Sequence, residues 1–181
     1  MTIELKIDEN DFLTHQLYTA SKSARIKRKR QRNKVVMPLI YIALGIVFFF
    51  SNRVATGIIF FIIAPLWFFI YPIWERQRYI KHYKDFIKEN YKDRHGSTGT
   101  LELSNDYILA KDNGGESKVL TKEIEAINEI PSAIYIKLKG GQSFILPKDK
   151  ISDTGTVTIR LKELAAWLSI PYNIEDTWEW K

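Results

Sequence analysis

Residues 35–50 read VVMPLIYIALGIVFFF and residues 54–74 read VATGIIFFIIAPLWFFIYPIW, joined by Ser51-Asn52-Arg53. Neither run holds a charged residue. A bilayer's hydrocarbon core is roughly 30 Å thick and takes about 20 apolar residues to cross as a helix. The second run has that length. The first is short, and a tilted or thinned crossing with Lys34 snorkelling to the surface accommodates it. Helices apolar on every side belong in lipid or in a large core, and a chain of 181 residues is too small to wrap two of them in protein. The expectation is a two-helix transmembrane hairpin over residues 35–74.

The flanks orient it. Arg25, Lys27, Arg28, Lys29, Arg30, Arg32 and Lys34 precede the first run, and Arg76, Arg78, Lys81 and Lys84 follow the second. The turn holds only Arg53. Short flanks rich in Lys and Arg stay on the cytoplasmic side, so both termini are expected in the cytosol and the turn outside. Tyr71 and Trp74 stand at the cytosolic boundary, where amphipathic rings anchor in the headgroup layer. The seven cations of 25–34, with Arg76 and Arg78, are the candidate contacts to anionic lipid.

The net charge is +6, less than those seven cations supply alone. After Gly96 ten basic residues face thirteen acidic ones, which argues against a nucleic-acid surface there. No cysteine is present, which excludes disulfides, thiolate metal sites and a cysteine nucleophile. A cleaved leader is not expected, because acidic residues precede the first run and no small-x-small site follows it.

Residues 1–34 form a leading segment. Thr2–Ile7 alternates as a short strand, Asp8 can cap a helix, and Phe12, Leu13, Leu17, Ala20 and Ala24 make its apolar stripe. That helix lies in the cytosol or along the membrane surface. Pro38 is expected in or near the first turn of the first crossing, where a missing N–H costs least, and Pro65 should kink the second. Gly45 and Gly57 permit close approach of the two helices, or of a second molecule. No Asp, Glu, Lys, Arg or His lies within either run, so the hairpin reads as an anchor rather than an ion path. Residues 75–95 continue as an amphipathic stalk with Tyr79, Ile80, Tyr83, Phe86, Ile87 and Tyr91 on one side, broken at Gly96-Ser97-Thr98-Gly99.

From residue 98 the period becomes that of strands, and residues 98–170 read as one small α+β domain. Strands are expected over 100–104, 107–111, 116–120, 123–130, 133–138 and 142–146, with Thr2–Ile7 a possible seventh. Asp112-Asn113-Gly114-Gly115 and Lys139-Gly140-Gly141 are the hairpin turns. A helix capped by Asp153 or Thr154 then carries Val157, Leu161, Leu164, Ala165 and Leu168 on one face, and Pro171 stops it. Short antiparallel strands followed by one amphipathic helix suit a curved sheet plugged by that helix. The tail, residues 171–181, holds Trp178 and Trp180 among acidic residues and is either docked or loose.

IDENDFLTHQLYTA at 7–20, the basic run, the hairpin, LELSNDYI at 101–108, EIEAINEIPSAIYIKL at 123–138 and FILPK at 144–148 occur in this order. Together they resemble the YcxB-like family of bacterial membrane proteins. The resemblance implies a bacterial inner-membrane protein whose C-terminal domain has a pleckstrin-homology-like fold. It implies no activity and no site residues.

His15, His82 and His95 have no partners at metal-ligand spacing, and no phosphate loop, dinucleotide fingerprint or nucleophile elbow is present. No catalytic, cofactor-binding or metal residue is assigned, no small-molecule substrate is indicated, and the chain is not read as an enzyme. The expected function is a membrane-anchored, non-enzymatic interaction or scaffold protein. It would present its cytosolic domain to a protein partner by strand addition or in a groove beside the capping helix, with Lys148 and Lys150 able to reach headgroups. The alternative is a small self-associating subunit or accessory factor of a membrane transport or envelope complex.

Overall fold

A computed structural model describes residues 1–90, 98–112 and 114–181. Its contacts divide the chain into two units, one of residues 1–15 and 84–179, the other of residues 16–83 with 180–181.

Among the described residues, the first unit is built on eight strands. Strands β1 (Thr2–Lys6), β2 (Thr98–Leu103), β3 (Tyr107–Asp112) and β4 (Gly115–Leu120) form an antiparallel sheet in that order. Strands β5 (Ile124–Glu129), β6 (Ala133–Leu138), β7 (Ser143–Pro147) and β8 (Tyr172–Ile174) form a second, in the order β7-β6-β5-β8. Every pairing is antiparallel except β5 with β8, which is parallel. The N-terminal strand is an integral part of the unit: β1 sets Ile3 opposite Leu101 of β2 although the whole hairpin separates them in sequence.

Alternation decides which side chains go inside. Ile3 and Leu5 of β1, Leu101 and Leu103 of β2 and Ile134, Ile136 and Leu138 of β6 all point into one core. Helix α4 (Thr154–Leu168) closes it with Val157, Leu161, Leu164 and Ala165. Asp153 caps the helix by accepting from the Thr156 N–H at 3.0 Å, and Ser169 ends it in the left-handed region at φ 55°. β6 is buried on both faces, and Tyr135 on its far side meets His15 edge-on at 4.9 Å.

Two expectations shift here. Strand 123–130 begins only at Ile124, because Thr121–Glu123 forms a 3-10 turn. The tail supplies an eighth strand that no periodicity announced, since three residues are too few to show a period. The Asn113 corner of the hairpin turn and stalk residues 91–97 lie outside the described residues; Thr98 and Gly99 already belong to β2.

The second unit consists chiefly of helices. α1 (Glu9–Lys22) enters it from Gln16 onward, followed by α2 (Ala24–Phe50) and α3 (Val54–Asn90), which leaves it after Tyr83. Ser23 caps α2, accepting from the Ile26 N–H at 3.4 Å. The basic segment is therefore helix, as the good propensity of Arg and Lys allows. Pro38 stands near the start of the apolar run as expected, but α2 begins at Ala24, so it lies inside the helix rather than at a free N-terminal end. Pro65 and Pro72 both lie inside α3.

α2 and α3 meet where their side chains are smallest. A Cβ added to Gly57 would stand 2.9 Å from the Gly45 carbonyl oxygen, so both glycines serve the contact within this hairpin. Around it Phe48 stacks on Phe60 at 5.6 Å, and Tyr41 meets Trp67 edge-on at 5.9 Å. Both helices are long and apolar enough to cross a membrane, and only 11% and 17% of their most apolar windows are buried.

Candidate functional site

The most structured polar cluster of the helical unit stands where the apolar runs end. Glu75 is the first acidic residue after the second run and is only 6% exposed. One oxygen of its carboxylate accepts from Arg30 Nε at 2.8 Å and the other from the Tyr71 hydroxyl at 2.6 Å. Tyr71 and Glu75 are one helical turn apart on α3, which aims both at α2. Arg30 is held further by donating to the Lys181 backbone carbonyl at 2.6 Å and by lying over the Trp180 ring at 4.8 Å. Trp180, also 6% exposed, meets Tyr79 edge-on at 5.5 Å, and its indole N–H has no hydrogen-bond partner among the described residues. Of the two tail tryptophans, Trp180 is therefore packed on the helices.

Beside this cluster opens a cavity of about 280 Å³ between α2 and α3, lined by Lys27, Arg30, Lys34, Tyr71, Pro72 and Glu75. Three cations face one carboxylate. Since Arg30 neutralises Glu75, the positive excess rests with Lys27 and Lys34, neither of which has an ion-pair partner among the described residues. Lys34 extends over the Phe68 ring at 5.8 Å. Arg25, Arg28, Lys29 and Arg32 are exposed on α2, as are Arg76 and Arg78 on α3. Of the two expected anchors, Trp74 is exposed with Arg78 over its ring at 5.3 Å, whereas Tyr71 is buried.

In the β unit, Lys148 and Lys150 do not stand free for headgroups. Lys150 pairs with Asp8 at 2.6 Å and with Asp11, and Lys148 with Glu129 at 2.7 Å. The hydrogen bond from Lys150 holds Asp8 below its ordinary pKa, while burial pushes Asp11 above it. Burial raises the Glu129 carboxyl as well, but hydrogen bonds from Lys148 and Tyr172 outweigh that and leave it lowered. Burial alone drives His15 down to about 4, so the ring is neutral at ordinary pH.

The β5 edge is occupied. β8 lies along the β5 edge, with the Ile127 N–H donating to the Pro171 carbonyl at 3.0 Å and the Glu175 N–H to the Glu129 carbonyl at 2.8 Å. Side chains follow the same register: Asn173 Nδ2 donates to Asn128 Oδ1 at 2.9 Å and the Tyr172 hydroxyl to Glu129 at 2.6 Å. A second opening of about 370 Å³ is lined by residues of β1 to β4 and β7, among them Leu5, Leu101, Ala110 and Phe144, and by Phe12 of α1.

Sequence reasoning missed the Glu75–Arg30 pair, the β8 edge and the internal pairing of Lys148 and Lys150. Only the first left a trace: an acid directly after 21 uncharged residues and four places beyond a tyrosine. The other two join residues distant in sequence.

Residues 103–157 match the family model of the YcxB-like proteins. The YcxB-like segment runs from the last residue of β2 into the start of α4 and takes in the EIEAINEIPSAIYIKL and FILPK stretches. The N-terminal stretch and the hairpin, which completed the resemblance, lie outside it. No curated protein and no solved structure matches the chain.

Proposed function

We propose that the chain is a membrane-anchored interaction protein without catalytic activity. α2 and α3 cross the inner membrane as a hairpin, and the β unit, with its YcxB-like segment, stands on the cytosolic side. The observation that carries this is the outward-facing apolar surface of the two helices, which in water would be an exposed patch far beyond what soluble monomers tolerate. The excess of Lys and Arg at the helix ends over the lone Arg53 of the turn supports the orientation. A four-stranded antiparallel sheet, three further antiparallel strands and a closing helix support a pleckstrin-homology-like fold.

The mode of binding follows from which edges are free. β8 already occupies the β5 edge beside α4, so a peptide strand cannot add there without displacing it. The opening lined by β1 to β4 and β7 is the better place for a protein partner, with Phe12 and Phe144 as apolar contacts. Full-length protein in detergent with Phe144→Arg should lose the partner that the wild type retains. An unchanged partner would refute this site.

The reading as a self-associating subunit has less support, because Gly45 and Gly57 are already used against each other. Mass measurement in native-like lipid separates the two: a dimer or higher oligomer would favour it, a monomer the anchor.

A further inference from the structure

We infer that the cavity between α2 and α3 at the base of the hairpin is a binding site for the phosphodiester headgroup of one anionic lipid. This rests on the hairpin being in a membrane and adds a discrete site to it. Lys27, Arg30 and Lys34 recur at i, i+3 and i+7, so they share one face of α2, and that face lines the cavity of about 280 Å³. Arg30 is fixed in the wall by Glu75, the Trp180 ring and the Lys181 carbonyl. Lys27 and Lys34 bring ammonium groups that nothing else among the described residues neutralises.

The position selects the ligand. Lys34 immediately precedes the apolar run, and Tyr71 and Pro72 are among the last residues of the other. With the hairpin in a bilayer, the cavity thus spans the level at which lipid phosphates lie. Ammonium groups donating to phosphate oxygens form charge-assisted hydrogen bonds, stronger than those to neutral groups. Basic pockets between helices on the cytoplasmic side bind anionic headgroups on this principle. The remaining cations of α2 and α3 attract the surface without enclosing any one lipid.

The test uses full-length protein in bilayer discs of phosphatidylcholine with a minority of phosphatidylglycerol, released into the gas phase for native mass spectrometry. Wild type should retain one phosphatidylglycerol per chain. K27Q/K34Q should retain it about tenfold less, since every 1.4 kcal/mol is a factor of ten. K29Q/R32Q, which removes the same charge outside the cavity, should retain it as wild type does. Equal loss in both variants would show attraction to the whole basic surface and overturn the site, as would no loss in either. Displacement by millimolar inorganic phosphate would overturn the lipid as its source. Wild type that does not enter the discs at all would sink the hairpin itself, a separate result.

Discussion

The two units of this chain treat apolar side chains in opposite ways. In the β unit Ile108, Ile127, Ile134, Ile136, Leu146 and Leu161 are wholly buried, and charged side chains such as Lys137 and Glu125 pair on the surface. In the helical unit Phe69 is 75% exposed and Ile73 68%, while the carboxylate of Glu75 is hidden. The first arrangement suits water, and the exposed apolar side chains of the second are what hydrocarbon would favour. On the proposed membrane-anchored reading, one chain is written for two solvents.

The widest separation between them should come from truncating large apolar side chains. Leu161→Ala removes a fully buried contact between α4 and the sheets and should cost about 2–5 kcal/mol. Phe69→Ala should change β-unit stability by less than about 0.5 kcal/mol. Hydrogen exchange of β6 amides in detergent-solubilised full-length protein measures both. Similar loss from the two would erase the contrast.

Next comes acid. His15 is neutral in the fold because burial lowers it to about 4, against 6.5 for a free histidine. Its contribution is complete above pH 6.5 and is lost as pH falls toward 4, where the unfolded ring is protonated and the folded one is not. The loss should reach on the order of 3 kcal/mol, and His15→Phe should flatten the stability profile across that window. An unchanged slope in the variant would place the acid sensitivity elsewhere, in Asp8 and its partner Lys150 first.

Gly57→Ile probes the helical unit's own packing. Its Cβ would meet the Gly45 carbonyl oxygen at 2.9 Å and the Phe49 backbone N at 3.1 Å, neither able to move cheaply. The helices should separate at a cost of about 1–3 kcal/mol, read as a lower thermal midpoint in detergent. The β-unit amides should keep their protection. The smallest effect is a gain: Ser169→Gly relieves the left-handed backbone at the end of α4 and should add about 0.5–1 kcal/mol.

How much could be read in advance divides along local and distant lines. The apolar runs, the stripe of α4 and the Ile134-Ile136-Leu138 face are local periodicities, and the structure places them as expected. The start of the apolar run is not the start of the helix: the basic residues before it continue the same turns, which puts Pro38 inside α2. The Arg30–Glu75 pair joins residues 45 apart, and Lys150 finds Asp8 across 142. Such pairings depend on which elements the fold brings together, which no spacing along the chain encodes.

Because the chain has no cysteine, single replacements can report which side of a bilayer each unit occupies. Ser51→Cys at the turn and Gln142→Cys in the β6–β7 connection, both exposed, should be treated with an impermeant thiol reagent on intact cells. The turn should react at once, and the β unit only after the membrane is opened. Labelling of Cys at 142 from outside, or full-length protein recovered dissolved without detergent, would contradict the account.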